Sequence, residues 1–163
     1  LYPLDVERAL RSLDRLGNKN IIWHTTNQEP VQQLISGEVA LATSFNGRII
    51  PADRAGAKLG FTPDYGAVSG DYLGVMKNSQ HAAEAFQLID YMISDVKACA
   101  EYMELTTYTS PNIDALTLVP KELADTLPTS PALKGKVFIK DDAWWAENLE
   151  KTTLTFKEWQ LKS

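Results

Sequence analysis

An α/β fold with a largely parallel sheet is predicted by three features of the sequence. Short runs of β-branched and aromatic residues alternate with segments of helical periodicity, in a strand, helix, strand rhythm. The runs end at polar or glycine-bearing turns, Thr25-Thr26-Asn27-Gln28 and Asn46-Gly47. Apolar residues make up 44% of 163 positions, enough to bury a core, yet no apolar run approaches the roughly 20 residues that cross a bilayer.

Pro3 to Leu16 reads as an amphipathic helix, with Pro3 at its start, Asp5 and Glu7 near its positive end, and Val6, Ala9, Leu10, Leu13 and Leu16 at helical spacing. Gly17 supplies the stop. Asn20 to His24 is predicted to be a strand that delivers Thr26, Asn27 and Gln28 to its carboxyl end, before a helix from Pro30 to Ile35 closed by Gly37. Val39 to Phe45 is the next predicted strand, Arg48 to Ala55 a helix ending at Gly56, and Lys58 to Phe61 a brief edge strand. In that helix Arg48 and Arg54 are expected in solvent or paired with Asp53. A strand at Ala67 to Met76 precedes two helices, Gln80 to Asp95 and Asp95 to Leu105; the first carries Ala83, Phe86, Ile89 and Ile93 on one face, the second Val96, Cys99, Ala100 and Met103.

Thr106 to Asn112 is a non-helical connector, since Pro111 pushes Ser110 towards extended geometry. A short helix at Pro120 to Thr126, a turn at Pro128 to Pro131 and an extended piece at Val137 to Ile139 follow. Asp141 to Lys162 is a long helix capped by Asp141 or Asp142, with an apolar stripe of Trp145, Leu149, Thr152, Phe156 and Trp159. The stripe assigns Trp144, Trp145 and Trp159 to packing, and a strand position favours core over ligand stacking for Trp23.

The net charge of −5, with both signs interspersed, argues against a nucleic-acid partner. It favours a cationic ligand only mildly, because solubility alone explains such acidity. The single cysteine, Cys99, excludes an internal disulfide and sits where a small buried residue is expected. His24 and His81 lack metal-ligand spacing and a catalytic partner, Ser44 and Ser69 lack a Gly-x-Ser-x-Gly frame, and the scattered glycines form no phosphate loop, so neither an enzyme nor a cofactor is expected. Leu1-Tyr2-Pro3-Leu4-Asp5 has no initiating Met, charged region or apolar run, so no signal peptide is expected within the sequence.

Ligands of open α/β sheets collect beyond the carboxyl ends of strands, which singles out Ser44, Phe45 and Asn46, and the Thr26-Asn27-Gln28 loop ahead of a helix N-terminus. For that loop, simple N-capping before Pro30 is an equal alternative. An aromatic at one strand end and a carboxylate, Asp71, at the start of another segment suit a cation: the ring face attracts positive charge and the carboxylate pairs with an ammonium.

The runs E-V-A-L-A-T-S-F-N-G-R, S-G-D-Y-L-G-V, T-Y-T-S-P-N and D-D-A-W-W-A-E-N with F-K-E-W resemble the later half of periplasmic polyamine-binding proteins, the spermidine/putrescine type of ABC-transporter solute receptor. The resemblance is strongest from Val31 to Asn112 and from Asp141 to Trp159. It implies a periplasmic-binding-protein-like type II fold, with the chain a fragment covering mostly the second lobe. Residues 1–68 would form that lobe's α/β core, 69–116 a crossover strand and helix pair belonging to the first lobe, and 117–163 helices packing back on the second.

The implied function is capture of a polyamine in an interlobe cleft and delivery to a membrane permease, in the periplasm. Asp71 would neutralise an ammonium, Phe45 and Tyr108 would flank the methylene chain, and Thr26, Asn27, Gln28 and Ser69 would face the ligand, with Thr26, Gln28 and Ser69 hydrogen-bonding its ends. Tyr108 alternatively packs at a hinge or on the surface. The family often has tryptophan where Phe45 stands and an aromatic where Ser69-Gly70 stands, which points to a different amine or a larger cation. A rival reading is the effector module of a regulator with the same fold. As an isolated fragment, the chain is expected to expose Phe86, Ile89 and Met92 and to self-associate.

Overall fold

Helices carry most of the regular structure in the computed structural model, which describes residues 1–162. They are α1 (Val6–Asp14), α2 (Glu29–Ser36), α3 (Asn46–Ala52), α4 (Ala82–Ser94), α5 (Val96–Thr106), α6 (Lys121–Ala124) and α7 (Asp142–Lys162). Two short strands, β1 (Ala67–Val68) and β2 (Phe138–Ile139), form a two-stranded sheet. The chain divides into two compact units, Leu1–Thr25 with Ile139–Ser163, and Thr26–Phe138.

In the first unit α1 packs on α7. Asp5 caps α1, its side chain accepting from the Arg8 amide at 2.9 Å, and Asp141 does the same for α7 through the Trp144 amide at 2.9 Å. Aromatic residues join the helices. Trp159 Nε1 donates to Asp14 at 2.7 Å and Trp145 Nε1 donates to the Tyr2 hydroxyl at 2.9 Å. Trp23 meets Phe156 and Trp159 edge-on, with centroids 5.1 and 6.1 Å apart, the geometry that ring quadrupoles prefer. Trp144, Trp145 and Trp159 are half-buried in ring or hydrogen-bond contacts, as expected of packing residues, whereas Trp23, expected in the core, stays 43% exposed because it packs only edge-on against Phe156 and Trp159.

The second unit carries the core. Cys99, Ala100 and Met103 of α5 pack with Ala115, Val119, Leu123 and Leu127. Cys99 is fully buried, its thiol directed at the Met92 carbonyl at 3.3 Å, in keeping with a small core residue. Asp95 ends α4 and caps α5, accepting from the Ala98 amide at 2.8 Å. Unlike α5, α4 contributes no buried residue, and Phe86, Met92 and Ile93 remain exposed.

The expected strands at Asn20 to His24, Val39 to Phe45 and Lys58 to Phe61 do not form, and of Ala67 to Met76 only Ala67–Val68 is paired. Backbone preference is present without the ladder. Ile21 (φ −111°, ψ 121°) and Phe45 (φ −76°, ψ 140°) are extended. A strand also needs a neighbour at hydrogen-bonding distance, and that is a tertiary fact no local run encodes. Arg48 is exposed, as one of its two expected readings has it, while neither arginine pairs with Asp53: Arg54 Nη1 donates to the Glu104 carbonyl at 3.1 Å, and Asp53 accepts from the Leu59 amide at 2.9 Å.

Helix α3 begins two residues earlier than predicted and continues as a wide turn, Asp53–Ala57, that ends where Gly56 takes φ 98°. Its first residue is tied to the end of α5. The Asn46 side-chain amide donates to the Thr107 carbonyl, and the Thr107 hydroxyl donates to the Asn46 carbonyl at 3.4 Å. Thr107 is buried and left-handed (φ 58°), a costly conformation for a β-branched residue that its surroundings must hold in place.

Truncating Met103→Ala removes a fully buried side chain and is expected to cost about 2–5 kcal/mol in chemical denaturation. Asn46→Ala, which strands the Thr107 carbonyl, is expected to cost about 1–3 kcal/mol by the same measurement. Unchanged midpoints would show that neither contact carries stability.

Candidate functional site

The segment 44–48 makes a corner where an extended backbone turns into α3. Phe45 is the last extended residue, and its carbonyl accepts from the Arg48 amide at 2.9 Å and the Ile49 amide at 3.2 Å. This leaves the Phe45 side chain 49% exposed at the head of the helix. Arg48 follows three positions later, in the first turn of the helix that Phe45 heads. The Arg48 side chain is exposed, and among the described residues it has no ion pair. Ser44, on the other side of Phe45, holds its hydroxyl oxygen out of solvent without a hydrogen-bond partner.

The connector after α5 meets this corner. The two bonds between Asn46 and Thr107 fix the backbone of residues 61 positions apart. Tyr108 then lays its ring on Gly47: a Cβ at that position would fall 2.6 Å from Cε2 and 2.8 Å from Cε1, and closer still to Cζ. The ring is half-buried, and its hydroxyl has no hydrogen bond among the described residues. Of the residues singled out from sequence, Ser44, Phe45 and Asn46 lie in the corner itself, and the ring of Tyr108 is brought to it at Gly47.

Asp71, Ser69 and the Thr26-Asn27-Gln28 loop lie on separate segments. Asp71 and Ser69 are exposed in the irregular stretch after β1, and among the described residues no hydrogen bond or ion pair joins either to the corner. The Asp71 carboxylate is not consumed by an internal ion pair. Thr26, Asn27 and Gln28 are exposed ahead of α2, which packs against α3. The Thr26 amide donates to Glu29 Oε2 at 3.4 Å, whereas the Gln28 side chain makes no cap.

Sequence reasoning singles out Asn46 with Ser44 and Phe45 but passes over Gly47, Arg48 and Thr107 as parts of the corner. Gly47 is legible only as part of a turn, and Arg48 as a charge in solvent or paired with Asp53. The tie to Thr107 is long-range and has no local signature.

A family model for bacterial extracellular solute-binding proteins matches residues 2–135. The γ-aminobutyric acid-binding protein of Pseudomonas aeruginosa is 29% identical over 160 residues, which is 98% of this chain and 45% of that protein. The periplasmic binding protein AgtB of Agrobacterium tumefaciens R10, solved in complex with agropinic acid, has TM-score 0.79 and 29% identity over 99% of this chain and 50% of that one. An ABC-transporter substrate-binding protein from Bradyrhizobium japonicum has TM-score 0.82 and 26% identity over 98% of this chain and 50% of that one. The chain spans about half the length of these relatives.

Their fold is the type II periplasmic-binding-protein fold expected from the sequence, and they are solute receptors rather than enzymes. The ligands named among them are γ-aminobutyric acid and agropinic acid, so the expected polyamine finds no support there. With its match to the family model running through most of its length, the chain belongs to the bacterial extracellular solute-binding protein family.

Proposed function

We propose that this protein is the extracytoplasmic solute-binding component of an ABC transporter, and that its ligand is a small amino acid bearing both an ammonium and a carboxylate, with γ-aminobutyric acid as the first candidate. One observation carries the ligand class. Arg48, an exposed guanidinium without an ion pair, stands one turn from the half-exposed ring of Phe45. A polyamine brings only positive charge to that corner and leaves the arginine repelled. A carboxylate pairs with its fork of donors.

In this reading Asp71 takes the ammonium, and Phe45 and Tyr108 wall the short methylene chain between the two charges. Ser69, Thr26, Asn27 and Gln28 supply further polar contacts. A hydrogen bond to a charged group contributes about 1.5–3 kcal/mol, so losing either charged partner should weaken binding at least tenfold. The relatives support the class, since the Pseudomonas protein is named for γ-aminobutyric acid, which carries both charges.

The reading places residues 1–68 and 117–163 with the second lobe and 69–116 with the first, and the exposed Phe86 and Met92 of α4 lie on a face that first-lobe residues cover. A ligand touching both lobes shifts the equilibrium towards the closed form only through its greater affinity for that form, and the closed lobes then present their ligand to a permease in the periplasm.

Calorimetry on the full-length protein tests this. γ-Aminobutyric acid should bind at least tenfold more tightly than putrescine. Arg48→Gln should abolish that preference, and Asp71→Asn should weaken both ligands by about tenfold or more. Tighter binding of putrescine by the wild-type protein, or unchanged affinities in both variants, would refute the ligand class.

A further inference from the structure

Gly47 lies inside the first turn of α3 without a positive φ, a place where alanine is ordinarily preferred. Backbone conformation therefore does not call for glycine. Space does. The phenol end of Tyr108 occupies the volume that a Cβ would need, with Cε2 and Cε1 at 2.6 and 2.8 Å from that position and Cζ nearer. Real Cβ contacts do not reach such distances, so any side chain at 47 must displace the ring. The backbone of Tyr108 cannot yield freely, because Thr107 before it is buried and bonded twice to Asn46, the neighbour of Gly47.

We propose that Gly47 is a specificity-determining position: its missing side chain seats the phenol end of Tyr108 on the first turn of α3, the turn that also carries Arg48, so that phenol and guanidinium address the same carboxylate of the ligand. The assignment rests on the ligand class proposed above. The seat holds a hydroxyl that has no hydrogen bond among the described residues, on the turn that carries Arg48, whose guanidinium has no ion pair among them. A phenol donates one hydrogen bond to a carboxylate and an arginine up to two, so the pair recognises an acid and gives nothing comparable to an amine. Gly47 acts through Tyr108 and is a positioning residue.

The test is a double-mutant cycle in the full-length protein with Gly47→Ala, Tyr108→Ala and the double variant, read by denaturation and by γ-aminobutyric acid calorimetry, with Tyr108→Phe alongside. In denaturation a sign reversal is expected: Gly47→Ala lowers the midpoint when the ring is present and raises it when Tyr108 is alanine, because the helix then gains its ordinary preference. In binding, Gly47→Ala should weaken γ-aminobutyric acid by about tenfold, and the double variant should match Tyr108→Ala within about twofold. Tyr108→Phe should lose about tenfold, as expected for one charge-assisted hydrogen bond. Effects that simply multiply, in either readout, would overturn the seat. If the wild-type protein binds no γ-aminobutyric acid, the ligand class and the carboxylate role fall together, and the denaturation cycle alone decides whether Gly47 seats the ring. If it binds and Tyr108→Phe is neutral, the ligand class stands and the phenol role falls.

Discussion

The pair of hydrogen bonds between Asn46 and Thr107 is the constraint on which the corner depends. Each residue gives a side-chain donor to the other's main-chain carbonyl, across 61 positions of sequence. Thr107 is fully buried in a left-handed conformation that costs a β-branched residue on the order of 1–3 kcal/mol. That cost persists because the amide of Thr107 also closes α5 onto the Met103 carbonyl at 2.8 Å, within the helix that supplies much of the core. Core packing, helix end and corner are thereby one connected arrangement, and Phe45, Arg48 and Tyr108 inherit their positions from it.

The helices were largely legible in the sequence because their signals are local. Asp5, Asp95 and Asp141 cap, Gly37 takes φ 75° at the end of α2, and the apolar positions of α5 recur at helical spacing and are buried. The strands were not legible for the opposite reason. Ile21 and Phe45 have the extended backbone that their composition favours, yet lack partners on either side. The relatives carry the α/β fold that the strand-helix rhythm anticipates. Within this chain that rhythm yields one short ladder, in which the Phe138 amide donates to the Gly66 carbonyl at 3.0 Å.

The candidate site shows the same division. Phe45 and Tyr108 could be picked out as aromatics at the ends of segments, but only the folded chain brings their neighbourhoods together. Arg48 is the instructive case. Searching for partners of a cation discounts every arginine, and a solvated charge beside Asp53 is the bland outcome. Asp53 instead accepts from the Leu59 amide, and Arg48 is left at the head of α3 without an ion pair among the described residues. The sequence resemblance points to the right class of transport protein, and by following amine recognition alone it looks only for negative charge.

The proposed site relies on charged groups left without internal partners. Arg48 and Asp71 are both exposed and have no ion pair among the described residues, whereas the structural polar groups at Asn46 and Thr107 are spent on each other. Hydrogen–deuterium exchange on the full-length protein, with and without γ-aminobutyric acid, tests this division most directly. Protection should rise around residues 44–48, 69–73 and 107–110 while the buried segment of α5 stays unchanged. Ligand-induced protection confined to other segments, with the corner still exchanging as in the empty protein, would contradict a binding site there.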